Sequence, residues 1–205
     1  MSLARLLALA ILVAVFAMPA MALAQTSTAQ EMSDQDKKMM EMVARYGTPG
    51  KNHELLKKYV GDWDVDIKAW PKPEAEPMTS KGSAQTQLLF EGRFVKMQFE
   101  GMMEGKTFRG FEVIGYDLYQ NKYVTFWIDD MSTSFVWTSG VLDASGKILT
   151  ETGAWPDPMT EGKQMQKVKN VTTFLEDGKL KYEMFMVMPD GKEVKWMELL
   201  YTRKM

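Results

Sequence analysis

The chain has 205 residues, with 25 lysines and arginines against 27 aspartates and glutamates, for a formal net charge of −2. That balance lacks the basic face on which a nucleic-acid binder depends, so no nucleic-acid partner is expected. With no cysteine, disulfides, thiolate metal sites, thiol nucleophiles and lipid-modified cysteines are all excluded.

The first element in the chain is an export signal. Arg5 supplies a basic start, Leu6 to Met18 is an unbroken apolar run, and Pro19 interrupts it before Ala22-Leu23-Ala24. Small residues at 22 and 24 are what a signal peptidase reads. The layout predicts that residues 1–24 are a cleaved signal peptide, that Gln25 begins the mature chain, and that the protein is periplasmic or secreted. An uncleaved anchor is the alternative, since Leu6 to Ala24 is nearly long enough to span a bilayer. Pro19 and the small-residue site favour cleavage. No second apolar run follows, so no stable membrane insertion is expected afterwards.

Residues 25–50 read as a polar lead followed by an amphipathic helix. Ser33 is a capping residue, Asp34 and Asp36 fall in the first turn, and Met39, Met42, Val43 and Tyr46 recur at helical spacing. Gly47 and Pro49 end it. A second short helix is predicted from Asn52 to Val60, apolar at Leu55, Leu56, Tyr59 and Val60 and stopped by Gly61. Each helix has an apolar face, so each is expected to lie against something.

After Gly61 the period becomes two, and residues 51–205 read as one β-barrel domain. Trp63, Val65, Ile67 and Ala69 alternate with Asp62, Asp64, Asp66 and Lys68. Further strands are predicted near 83–90, 93–101, 106–117, 121–130, 134–142, 147–154, 164–175, 179–188 and 192–203. Short turn signals separate most of them, including Glu104-Gly105, Gln120-Asn121, Ser145-Gly146, Asp177-Gly178 and Asp190-Gly191. Connections this short leave no room for crossover helices, so parallel pairing is excluded. The fold class is all-β: an up-and-down antiparallel β-barrel of about ten strands, with one or two short N-terminal helices. Closure removes exposed edges, and a barrel of this size has room for one small ligand.

Several motifs carry little. Asp62, Asp64 and Asp66 imitate the opening of a calcium loop, but Ile67 stands where glycine is required and the strand period puts the three carboxylates in an outward row. His53 is the only histidine, which excludes multi-histidine metal sites and assigns it to capping and docking a helix. No metal and no cofactor is implied.

A series of residues from His53 to Arg203 carries a resemblance. It comprises His53-Glu54-Leu55-Leu56, Gly61-Asp62-Trp63, Gly92-Arg93-Phe94, Gly115-Tyr116-Asp117, Trp127 through Thr133, Pro156-Asp157-Pro158 and Tyr201-Thr202-Arg203. The Gly-x-Trp opening with a late arginine is similar to the calycin superfamily of lipocalins and fatty-acid-binding proteins. The whole series resembles the bacterial family known as domain of unknown function 1579, which is grouped with the calycins. The resemblance implies a calycin barrel in which Trp63 plugs one end and Arg203 packs over it. It implies no activity, cofactor or catalytic residue.

The candidate ligand-binding residues are apolar and aromatic. Tyr182, Met184 and Met186 share one face of their strand, and Trp127, Phe135, Trp137 and Trp196 stand in strands where a lining is expected. The chain contains 19 methionines, whose adaptable side chains fill irregular cores and also suit varied apolar guests. Asp129 and Asp130 end a strand beside Trp127, so at most one can face inward, where it would be a polar anchor or a general acid of raised pKa. Otherwise they cap a turn. The function expected is binding of a small apolar or amphipathic molecule. The alternatives are an enzyme using Asp129 or Asp130 at the barrel mouth, and an interaction protein docking through residues 33–60.

Overall fold

The computed structural model describes residues 32–103 and 105–204. Residues 1–24, expected to be a signal peptide, and residues 25–31 of the polar lead lie outside the described residues.

A helix, α1 (Asp34–Gly47), and a 3₁₀ helix (Lys51–Lys58) precede ten strands: β1 (Gly61–Ala69), β2 (Met78–Leu89), β3 (Phe94–Met103), β4 (Lys106–Asp117) and β5 (Lys122–Asp129), then β6 (Val136–Leu142), β7 (Ile148–Pro156), β8 (Met165–Phe174), β9 (Lys179–Val187) and β10 (Glu193–Arg203). Each strand pairs antiparallel with its neighbours in the chain, and β1 pairs with β10 from Trp63↔Arg203 to Ala69↔Met197, closing the barrel. The expected all-β meander is therefore the observed one. β2 begins at Met78, before the expected residue 83, because the polar run Thr79-Ser80-Lys81 still finds partners along β1. Pairing needs only backbone groups, so this part of the strand leaves no apolar alternation to read.

One end of the barrel is sealed. Trp63 is buried at 1% exposure and its indole N–H donates to the Tyr59 carbonyl at 2.9 Å. The Arg203 guanidinium lies over the Trp63 ring, 4.2 Å from its centre, and donates to the carbonyls of Val60 and Lys58. Gly61 has φ +140°, and a Cβ there would collide with the same guanidinium, so the strand entry needs glycine for conformation and for space. The 3₁₀ helix brings Leu55 and Leu56 onto this end, against a core that includes Val65, Val95, Ile114 and Leu149. His53 is buried; its Nδ1 accepts the Gly50 N–H at 3.0 Å and its ring meets Tyr116 edge-on. Loss of hydration lowers its pKa.

The outer row of β1 behaves as a solvated face: Asp66 pairs with Lys81, Asp64 with Lys204, and Asp62 accepts from Gln85. The helix α1 departs from expectation. Among the described residues nothing covers its apolar face, with Met39 and Val43 both more than 60% exposed. A capping box of Ser33 and Asp36 holds its start, while Tyr46 stacked on Tyr119 at 4.0 Å and the Arg93 side chain bonded to the Gly47 carbonyl hold its end. Helical period reports that a face is apolar; it carries no information about what covers it.

Candidate functional site

The register decides which side chains face the interior, because residues paired directly across neighbouring strands share a face. From Trp63, Ala84 and Phe99 the inner face continues through Gly110 and Glu112 to Trp127, Thr138, Glu151, Val168, Met184 and Met197. Along this inner face burial falls from the sealed end to the other. On β9, Leu180 is buried, Tyr182, Met184 and Met186 are half-buried, and Met188 beyond the strand is exposed. On β10, Tyr201 and Leu199 are buried while Met197 and Val194 are half-buried. The same gradient runs along β7 from Leu149 to Trp155. The less buried end of these rows, the mouth, is bordered by the connections 70–77, 130–135, 157–164 and 188–192.

Of the expected lining residues, Trp127, Tyr182, Met184 and Met186 face inward. Trp196 sits at the register shift between Lys195 and Met197, its ring 6.1 Å from Trp155, near the mouth. Phe135 and Trp137 lie on the other side of the wall. Val136 pairs with Trp127 and Thr138 with Thr125, so the even-numbered residues of β6 point in, and Phe135 and Trp137 pack on the outer ring of Phe126 at 61% and 58% exposure. Both faces of that strand carry apolar residues, so alternation alone does not say which is inside.

The two aspartates divide as the strand period requires. Asp129 faces inward at the mouth, where Oδ2 accepts the Trp127 indole N–H at 2.8 Å and Oδ1 accepts the backbone N–H groups of Met131 and Ser132. Asp130 points out, accepts both the backbone and side-chain N–H of Arg109, and those bonds hold its carboxyl below the usual range. Both therefore shape the turn after β5. The acids with the raised pKa expected of an interior carboxyl are elsewhere.

They are Glu112 on β4 and Glu151 on β7, and neither was singled out in the sequence. Burial pushes the Glu112 carboxyl up to about 8, and the Glu151 charge adds to the effect. Burial also raises Glu151, against which the hydroxyl of Thr125 donates at 2.8 Å and that of Thr138 at 3.5 Å. Gly140 is the residue across from Glu151; any Cβ there would strike the β7 backbone, and its missing side chain clears the path from Glu151 to Thr125 and Thr138. Tyr59, Tyr182 and Tyr201 complete this level, their phenols held protonated by burial and by the two carboxyls. Glu112 and Tyr182 are half-buried, and loss of hydration raises the pKa of both. The signal was present in the chain: Glu112 shares strand parity with Phe108 and Ile114, and Glu151 with Leu149 and Trp155, so each is an acid in an apolar row. Among the described residues no group of three or more histidine and acidic side chains is arranged to hold a metal.

A family model described as protein of unknown function (DUF1579) matches residues 48–203. No curated protein matches the chain. Among solved structures, Rv2717c from M. tuberculosis superposes with a TM-score of 0.55 at 9% identity, covering 77% of this chain and 100% of that one. The S-type phycobiliprotein lyase CpeS from Guillardia theta gives a TM-score of 0.51 at 12% identity, covering 75% of this chain and 93% of that one. At these identities the likeness is one of fold.

Proposed function

The chain belongs to the DUF1579 family and is a calycin-like barrel, and from that premise we propose that it binds one small apolar or amphipathic molecule through its open end. The observation that carries the proposal is the burial gradient on the inner face: identical strands are sealed by Trp63, Leu56 and Leu149 at one end and leave Met184, Met186 and Trp127 half-buried toward the other. Methionine and aromatic walls suit a guest of loosely specified shape. The acid-bearing level beneath them adds a polar floor, which favours an amphipathic guest over a purely apolar one.

Native mass spectrometry with decanol as probe tests the reading. One decanol per chain is expected, accompanied by a change in tryptophan fluorescence from Trp127, Trp155 and Trp196. A bare chain at every decanol concentration overturns it.

Export belongs to the same proposal. Arg5, the apolar run to Met18 and Ala22-Leu23-Ala24 support release after Ala24. N-terminal sequencing of the protein recovered outside the cytoplasm is expected to start at Gln25; an intact N-terminus overturns this part.

A further inference from the structure

The inner wall changes character halfway along the barrel. Glu112 and Glu151 face the interior from β4 and β7, and among the described residues no hydrogen bond reaches the Glu112 carboxyl. One more group on this wall lacks a partner: the side-chain oxygen of Asn170, on a residue more than nine-tenths buried. Asn170 stands directly across from Glu151, whereas Thr86, whose hydroxyl is also unpaired, stands across from Gly61 at the sealed end. An unpaired buried acceptor is costly and uncommon, so the amide oxygen left bare beside Glu151 has an unmet need for a donor.

The chain's own charges do not meet it. Among the described residues no lysine or arginine faces this level from any strand: Lys106 is at the mouth and Arg203 lies beyond Trp63 at the sealed end. The other titratable groups facing the interior here are the phenols of Tyr59, Tyr182 and Tyr201, which are neutral, with Tyr116 and Tyr123 nearer the sealed end and Asp129 at the mouth. Hydroxyl donors can solvate a protonated carboxyl. They do not balance a carboxylate.

Building on the amphipathic-guest reading, we propose that this level is a head-group site and that the head it takes is a primary ammonium on an apolar tail. An ammonium presents three donors and no acceptor, which matches the two carboxyl groups of Glu112 and Glu151 and the Asn170 amide oxygen. Its tail runs toward the mouth along Met184, Met186 and Trp127. The site holds its own proton before the guest arrives: Glu112 is largely protonated at neutral pH. When an ammonium enters, the Glu112 O–H bond breaks, the proton leaves to solvent, and an N⁺–H···O⁻ contact takes its place. Ammonium binding at pH 7 thus releases up to one proton, and neutral guests release none.

The experiment compares decylammonium, decanol and decanoate by calorimetry at pH 7 in buffers of different ionisation heat. Decylammonium is expected to bind about tenfold or more tighter than decanol, and decanoate more weakly than either. The decylammonium heat is expected to vary with the buffer, and the decanol heat to stay constant. In the double variant E112Q/E151Q the ammonium preference is expected to vanish with decanol affinity retained. The buffer dependence is read on the unaltered protein, so the test stands even where that variant does not fold. Decanol binding with no ammonium preference, or a preference with no proton release, overturns the head-group site and leaves the barrel reading intact. If none of the three probes binds, both fall.

Discussion

The sealed end and the middle of the barrel are built from the same strands, and they differ in what those strands turn inward. At the sealed end most inward residues are large and apolar, the Trp63 indole and the Tyr123 hydroxyl each have a backbone acceptor, and a guanidinium closes the ring from outside. Midway along, two carboxyls, an amide and hydroxyls face the interior, and the Asn170 amide oxygen is left without a partner. A folded chain loses stability by keeping the second arrangement. The difference teaches that the sealed end is where this barrel is held together and the middle is where it is available to something else.

The largest expected effect breaks the first region. Trp63→Ala should cost about 3–5 kcal/mol in chemical denaturation, the range for a large core aromatic. A loss below about 1 kcal/mol would show that Trp63 is not the plug.

The second region responds to pH. In the folded protein Glu112 keeps its proton up to a pKa of about 8, whereas the unfolded chain releases it near the ordinary glutamate value of 4.5. Between those values the folded state binds more protons, so stability is fully present below the lower value, falls as pH rises, and levels off above the higher one. Glu112→Gln mimics the protonated group. The variant should match the parent near pH 4 and exceed it by about 2–4 kcal/mol at pH 9, measured by urea denaturation across pH. Equal pH profiles for parent and variant would place Glu112 in ordinary solvent.

Two smaller substitutions sharpen the contrast between the faces of the wall. Met186→Ala, on the half-buried inner face, should cost about 1–2 kcal/mol and weaken decanol binding severalfold. Trp137→Ala, on the exposed outer face, should stay within about 0.5 kcal/mol of the parent and leave decanol affinity unchanged. A binding loss from Trp137→Ala with none from Met186→Ala would reverse the assignment of inside and outside.

Most of the fold was legible because it is local. Alternation from Trp63 to Ala69, glycine at Gly146, Gly178 and Gly191 where the backbone takes positive φ, and turns too short for a crossover together leave an antiparallel meander as the solution. The pairing of Gly61-Asp62-Trp63 with Arg203 was legible through the family resemblance. The candidate site was less so. Met184, Met186, Tyr182 and Trp127 were found because their rows are apolar on one parity only or lie beside a distinctive motif. Phe135 and Trp137 were placed on the wrong side of the wall for a lining, since β6 is apolar on both.

What the chain determined by itself was strand, turn and order, all of which depend on neighbours within a few residues. Register was decided only when ten strands closed on one another, and a shift of one residue turns every side chain of a strand to the opposite face. That is why the closed sheet alone could bring Glu112 and Glu151, far apart in the chain, into one desolvated space, and why α1 shows an apolar face with nothing among the described residues to cover it.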